Sequence, residues 1–263
     1  MAATEAAAPK VELRGVGLRY FGREGETEAL QDISLSVKPG EFIAIIGQSG
    51  CGKSTLLSLI SGILKPTEGQ VLVDGQPVTG PSRKVGYMLQ QDYLFEWRTI
   101  LENAVIGAEI QGADMGKARE RATQLLTRYG LGQFLQHLPR QLSGGMRQRA
   151  ALMRTLIVEP QILLMDEPFG ALDTHTKIDM HEVLLRIWER EQQTVLFVTH
   201  DLGEALTLAD RIILFSARPG RIKDMFTVDF DRPRDAVKVR AGYEGAVAAA
   251  LGALAEGVLV DDL

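Results

Sequence analysis

"GQSGCGKST", Gly47 to Thr55, packs three glycines, a lysine and several hydroxyl residues into nine consecutive positions. It matches G-x-x-x-x-G-K-[ST] and lies between the apolar "EFIAII" and the helical pattern "LLSLISGIL", the strand–loop–helix setting that this spacing requires. In such a loop the backbone N–H groups and the helix N-terminus face a phosphate, and Gly47, Gly50 and Gly52 let the chain approach closely. Lys53 would meet the β- and γ-phosphates, and the Ser54 hydroxyl would ligate Mg²⁺. Gly47, Gln48, Ser49, Gly50, Cys51, Gly52, Lys53, Ser54 and Thr55 are therefore candidate nucleotide contacts. The bland alternative is an ordinary glycine-rich turn.

"ILLMDEP", Ile162 to Pro168, supplies the complementary chemistry. Four apolar residues deliver Asp166 to the end of a buried strand, where a bound Mg²⁺ needs a carboxylate. An acid leaving a core strand is costly without a partner, and a metal is such a partner. Glu167 follows and, by strand alternation, points to the other side, placed to polarise a water near a γ-phosphate. Two solvated loop acids are the alternative for this motif alone.

"LSGGMRQR", Leu142 to Arg149, opens a helix with Ser-Gly-Gly, a second anion-ready N-terminus about ninety residues after the first. One chain thus offers two phosphate sites with one set of Mg²⁺ ligands. In these motifs the sequence resembles the ATP-binding-cassette ATPases over residues 11 to about 228. The order matches too: Walker A Gly47–Thr55, Q-loop Gln90, signature Leu142–Gln148, Walker B Ile162–Asp166, D-loop Ala171–Asp173 and H-loop His200. The resemblance implies that Gln90 reaches Mg²⁺ and the attacking water, Asp166 holds the metal, Glu167 is the general base, and His200 contacts the γ-phosphate. For His200, capping of the next helix is the competing reading. Tyr20, or adjacent Phe21, falls where the family stacks an aromatic on adenine. Two cassettes of this family dimerise head to tail, so Ser143 and Gly145 would complete the partner's ATP site. His137, His175 and His181 match no motif and read as solvated. Cys51 reads as a bystander, although a helix N-terminus can lower a thiol pKa.

"QQDYLFEWRTI", Gln90 to Ile100, sets Tyr93, Leu94, Phe95 and Trp97 in a polar loop. In importers of this family the segment after the Q-loop glutamine faces the membrane subunit, and this stretch is similar to the nitrate, sulfonate, taurine and bicarbonate group. That group usually has Leu-Leu-Pro-Trp; here the proline is Glu96. Phe95 and Trp97 would anchor a docking permease, aromatics being favoured in desolvated interface pockets. The rival reading tucks both rings into the chain's own helical insertion.

The elements that must position these residues follow from periodicity. "VELRGVGLRY", "LQDISLSV" and "EFIAIIG" read as strands, with "KPGE" a turn before the last. "GQVLVDG" and "KVGYMLQ" are short strands. "ILENAVIGAEI", "KARERATQLLTRYG" and "GMRQRAALMRTLI" are helical. Then "QILLMDEP", "TVLFVTHD" and "RIILFSA" alternate with "KIDMHEVLLRIWERE" and "LGEALTLAD", the pattern of a covered, mainly parallel sheet. The resulting expectation is an α/β P-loop NTPase core with a mainly parallel sheet, an antiparallel β-subdomain and an inserted helical subdomain. Residues 1–228 would form the ATPase domain, with the helical part at about 92–156, and 229–263 a short tail ending in an Ala-rich helix.

The 263 residues carry a net charge of −5 with a pI of about 5.5, which argues against a nucleic-acid binder relying on a broad basic surface. One cysteine allows no internal disulfide and fits a reducing compartment. The start "MAATEAAAPKVEL" lacks the features of a secretory signal. "GAVAAALGALA" falls short of the roughly 20 residues that span a bilayer. The single asparagine, Asn103, is followed by Ala104 and Val105, so no N-K-x-D guanine-reading motif exists.

The resemblance therefore implies an ATP- and Mg²⁺-dependent importer ATPase, peripheral on the cytoplasmic face of the inner membrane. It would pair as a homodimer with permease subunits, served by a solute-binding protein. The rival is a soluble cassette ATPase in an assembly, nucleic-acid or ribosome process. Against it stand the absence of sustained heptads between Walker A and the signature, and the single cassette.

Overall fold

The computed structural model describes residues 8–22, 25–232 and 234, so the expected Ala-rich C-terminal helix lies outside the described residues. By contacts the chain divides into two compact units, residues 1–82 with 193–263, and residues 83–192.

The first unit holds an antiparallel sheet and a parallel one. β1 (Val11–Gly22) pairs with β2 (Gly25–Val37) on one side and with β4 (Glu68–Val73) on the other, and β5 (Gln76–Pro77) extends the edge. Alternating burial along β1 and β2 is what a half-covered sheet produces. β2 begins at Gly25, earlier than the apolar pattern starting at Leu30, because cross-strand pairing carries the polar stretch "GETEA". β3 (Phe42–Ile46) lies between parallel β8 (Thr194–Thr199) and β9 (Arg211–Phe215), and β10 (Ile222–Thr227) closes antiparallel on β9. All residues of β3 and β8 are buried, as strands covered on both faces must be. The apolar residues of β10, Ile222, Met225 and Phe226, do not alternate with polar ones, so the strand does not announce itself in sequence. Helices α1 (Lys53–Ile60) and α7 (Leu202–Leu208) follow β3 and β8.

The second unit contains the parallel pair β6 (Val85–Met88) and β7 (Ile162–Asp166) and the helices α2 (Ile100–Ala104), α3 (Ile106–Ile110), α4 (Met115–Arg128), α5 (Gly144–Leu156) and α6 (Thr174–Glu191). "ILENAVIGAEI" is two short helices broken at Val105 rather than one. Thr99 and Glu102 form a reciprocal capping box that starts α2. The Thr99 N–H holds the Glu102 carboxyl below the usual carboxylate range. This is an α/β P-loop fold with parallel strands and a separate antiparallel sheet.

Candidate functional site

In the first unit, β3 runs into the loop at Gly47 and α1 leaves it. Gly52 sits at φ 102° as the N-cap of α1, and a Cβ there would lie 2.7 Å from Leu30 and 2.9 Å from the Ala29 carbonyl oxygen. No other residue type fits. With glycine as its cap, α1 has no side chain on its first-turn N–H groups, unlike α2, α4, α5, α6 and α7. Those groups remain available to an anion. Lys53 is buried, and its Nζ donates to the carbonyl oxygens of Gly47 and Gln48, both at 2.7 Å. Its third contact is the Cys51 sulfur at 3.8 Å, so the buried ammonium is held by two carbonyl dipoles and a thiol and fits a phosphate as counter-charge.

Ser49, Gly50 and Ser54 are exposed at the loop, while Gln48 and Thr55 are half-buried. The Tyr20 hydroxyl lies 3.2 Å from Thr55 Oγ1, which brings the ring to the loop. Phe21, next on a strand in regular register, is carried to the opposite face. Cys51 is buried, and burial pushes its thiol pKa up despite neighbouring Lys53. That removes the reactivity a helix N-terminus alone would suggest. His200 is exposed beyond β8, and the cap of α7 is Asp201, whose carboxylate accepts from Gly203 and Glu204. The capping reading of His200 is therefore excluded.

In the second unit, β7 delivers Asp166 half-buried at its end. Glu167 does not continue the alternation expected of it. It has left the strand and sits at φ 43°, a left-handed conformation rare for a residue with a Cβ, so its direction is set by the turn to Gly170. Ser143 caps α5, its hydroxyl accepting from Met146 N–H at 3.3 Å. A Cβ on Gly145 would meet the Thr176 methyl at 2.3 Å, so this glycine also serves packing within the unit. Gln90 is exposed, and its carbonyl oxygen accepts from Gln148 Nε2 at 3.1 Å.

The aromatic loop is only partly covered. Leu94 is buried, whereas Trp97 is 75% exposed and packs against Phe95 with the rings tilted by 44° and their centroids 5.0 Å apart. Trp97 does not tuck into the chain's own helices. Beneath it Asn103, fully buried, binds the backbone of Phe95, Arg98 and Thr99. Sequence reasoning used Asn103 only to exclude guanine recognition and missed this clamp. Its signal was the chain's one asparagine just after a capping box. The histidines also depart from expectation. His175 is exposed, but His137 packs edge-on against Phe134 and His181 against Phe169, because both neighbours are apolar rings.

Among the described residues no group of three or more His, Cys, Asp or Glu could by itself hold a metal. Ser54 in the first unit, and Gln90 and Asp166 in the second, each offer an oxygen donor, with one carboxylate among the three. Oxygen is the donor type that Mg²⁺ takes, alongside waters and phosphates.

Residues 30–170 match the family model described as ABC transporter. An uncharacterised ABC transporter ATP-binding protein of Methanocaldococcus jannaschii is 47% identical over 232 residues, 88% of this chain and 87% of the relative. The nitrate import ATP-binding protein of a Synechocystis strain is 43% identical over 230 residues, covering 88% and 86%. A dimeric ATP-binding cassette solved in a post-hydrolysis state with ADP and Pi superposes with a TM-score of 0.75 at 35% identity, over 84% of this chain and all of that one. With its glycine loop, its Ser-Gly-Gly helix and these relatives, the chain belongs to the ABC transporter ATP-binding proteins and is an ATPase.

Proposed function

We propose that this ATPase energises an importer for a small anion, of the nitrate, sulfonate, taurine or bicarbonate kind. Residues 1–228 act as the ATPase domain, with a helical part at about 92–156, and 229–263 as an appended tail. It works as a homodimer, peripheral on the cytoplasmic face of the inner membrane, bound to two permease subunits that an external binding protein supplies with solute. The observation that carries this reading is the exposed Phe95–Trp97 pair on a loop pinned by Asn103. Rigid aromatics left in water are an interface waiting for a partner. Among the described residues no helix is long and apolar enough to cross a membrane. The identity to a nitrate import protein supports the solute class.

Within each ATP site, the loop 47–55 cradles the phosphates and Lys53 exchanges its carbonyl partners for phosphate oxygens. Tyr20 stacks on the base. Ser54, Gln90 and Asp166 would hold Mg²⁺, which would neutralise charge on the phosphates. Glu167 accepts the proton of the attacking water, His200 steadies the γ-phosphate, and Ser143 and Gly145 close over the nucleotide of the other subunit. Co-purification from membranes tests the proposal. Recovery of integral membrane subunits, and ATPase stimulated by nitrate or a sulfonate with its binding protein, is the expected result. A chain that co-purifies only with soluble assembly partners or ribosomes would overturn it.

A further inference from the structure

Three side chains of α5 reach back to the loop that carries the exposed aromatics. Gln148 Nε2 donates to the Gln90 carbonyl, and Arg154 donates to the carbonyls of Asp92 at 2.6 Å and Tyr93 at 2.7 Å. These two fasten the loop to the body of the helix. Arg147 does something different. Its Nη1 donates to the Leu142 carbonyl at 2.9 Å, immediately before the capping Ser143, while its Nε pairs with Asp92 Oδ2 at 3.0 Å. Asp92 is also tied to the loop, its other oxygen accepting from Leu94 N–H at 3.2 Å. One guanidinium thus bridges the start of the signature helix and the start of the aromatic segment.

We infer that Asp92 and Arg147 form the joint that transmits occupancy of the signature end of α5 to the Trp97 surface, acting as positioning residues for coupling. The inference rests on the proposal that Ser143 binds the partner's nucleotide. Closure on that nucleotide draws Leu142 and Ser143, Arg147 follows through its Leu142 bond, and Asp92 moves the segment five residues before Trp97. A planar, forked cation suits this task, because it holds two acceptors in fixed relation where an ammonium would swivel. Arg154 and Gln148 keep the loop backbone attached throughout, so removing the Asp92 carboxylate cuts the link to the signature end together with the local Leu94 bond, whereas Asp92→Asn can keep its amide oxygen on Leu94.

The chain has two tryptophans, so Trp188→Phe leaves Trp97 as its own reporter. In the full chain carrying Trp188→Phe and Glu167→Gln, Mg-ATP is added while light scattering reads dimer formation and fluorescence reads Trp97 in the same sample. The expected result is a dimer with a changed Trp97 emission. Adding Asp92→Ala should preserve the dimer and abolish the emission change, and Asp92→Glu should restore it. A dimer whose Trp97 emission does not change, or changes equally in Asp92→Ala, overturns the joint. Absence of any dimer overturns the trans-nucleotide reading beneath it. Should Asp92→Ala lose its melting transition, Asp92→Asn, uncharged and of the same shape, takes its place with the same two outcomes.

Discussion

The side-chain amide of Asn103 closes on the backbone of Phe95 from both directions. Its Oδ1 accepts from Phe95 N–H at 2.7 Å, and its Nδ2 donates to the Phe95 carbonyl at 3.1 Å. A fully buried amide therefore dictates where an exposed aromatic stands. Asn103→Ala would orphan several backbone groups and should cost about 3 kcal/mol. Chemical denaturation should show that loss, and permease recovery should fall although Trp97 is intact.

Trp97→Ala should separate folding from docking. The ring is largely in water, so urea denaturation should change by less than about 0.5 kcal/mol. Loss of an interface anchor is worth at least about 2 kcal/mol, or roughly thirtyfold in affinity, so pull-down of the membrane subunit should fail. A large loss of stability would make the ring part of the core instead.

Glu167→Gln should keep ATP binding and lower turnover about 10²- to 10⁴-fold, the usual consequence of losing a general base. The variant should accumulate as an ATP-bound dimer on gel filtration. Turnover at the wild-type rate would remove Glu167 from the chemistry.

Ser143→Arg should abolish hydrolysis while leaving nucleotide binding by the same chain intact. Mixed with Lys53→Ala, which keeps its signature, it should regain part of the activity, since one composite site then has both halves. Full activity of Ser143→Arg alone would refute a site shared between subunits. Ser143→Ala, which loses only the helix cap, should cost about 1 kcal/mol of stability.

Gly145→Ala should be destabilised by overpacking, about 1–3 kcal/mol. Thr176 cannot turn its methyl away, because its hydroxyl is held by Asp173 Oδ2 at 2.6 Å. Thr176→Ser deletes that methyl and should restore the melting temperature of Gly145→Ala. Failure to restore it would mean that the clash lies elsewhere.

Cys51 should react slowly with iodoacetamide. Burial raises its pKa, so at pH 8 less of it is thiolate than of a free cysteine, and thiolate is the reactive form. Labelling timed against glutathione checks this, and labelling as fast as glutathione would contradict it.

The glycine loop, the Asp166 strand and the Ser143 helix were legible because each motif couples residue type to a strand–helix junction that periodicity also marks. β10 was not legible, since its pairing with β9 rather than its own composition makes it a strand. The Asn103 clamp and the Arg147 bridge join a helix to a loop, with partners 8 and 55 positions apart, so the period of a single element does not relate them. His181 looked solvated for the same reason: the ring of Phe169 reaches it only through the fold. The direction of Glu167 failed because alternation holds only while the chain remains in the strand.

That left-handed turn at Glu167 carries a stability cost written into one dihedral angle. A residue with a Cβ at φ 43° costs about 1 kcal/mol over glycine, and glutamine inherits the same cost. Glu167→Gly should therefore raise the melting temperature while lowering turnover as far as Glu167→Gln does. Asp32, Asp74 and Glu159 carry carboxylates at φ 49–52° outside any of these motifs, so the angle by itself marks a local stability cost and not a chemical role.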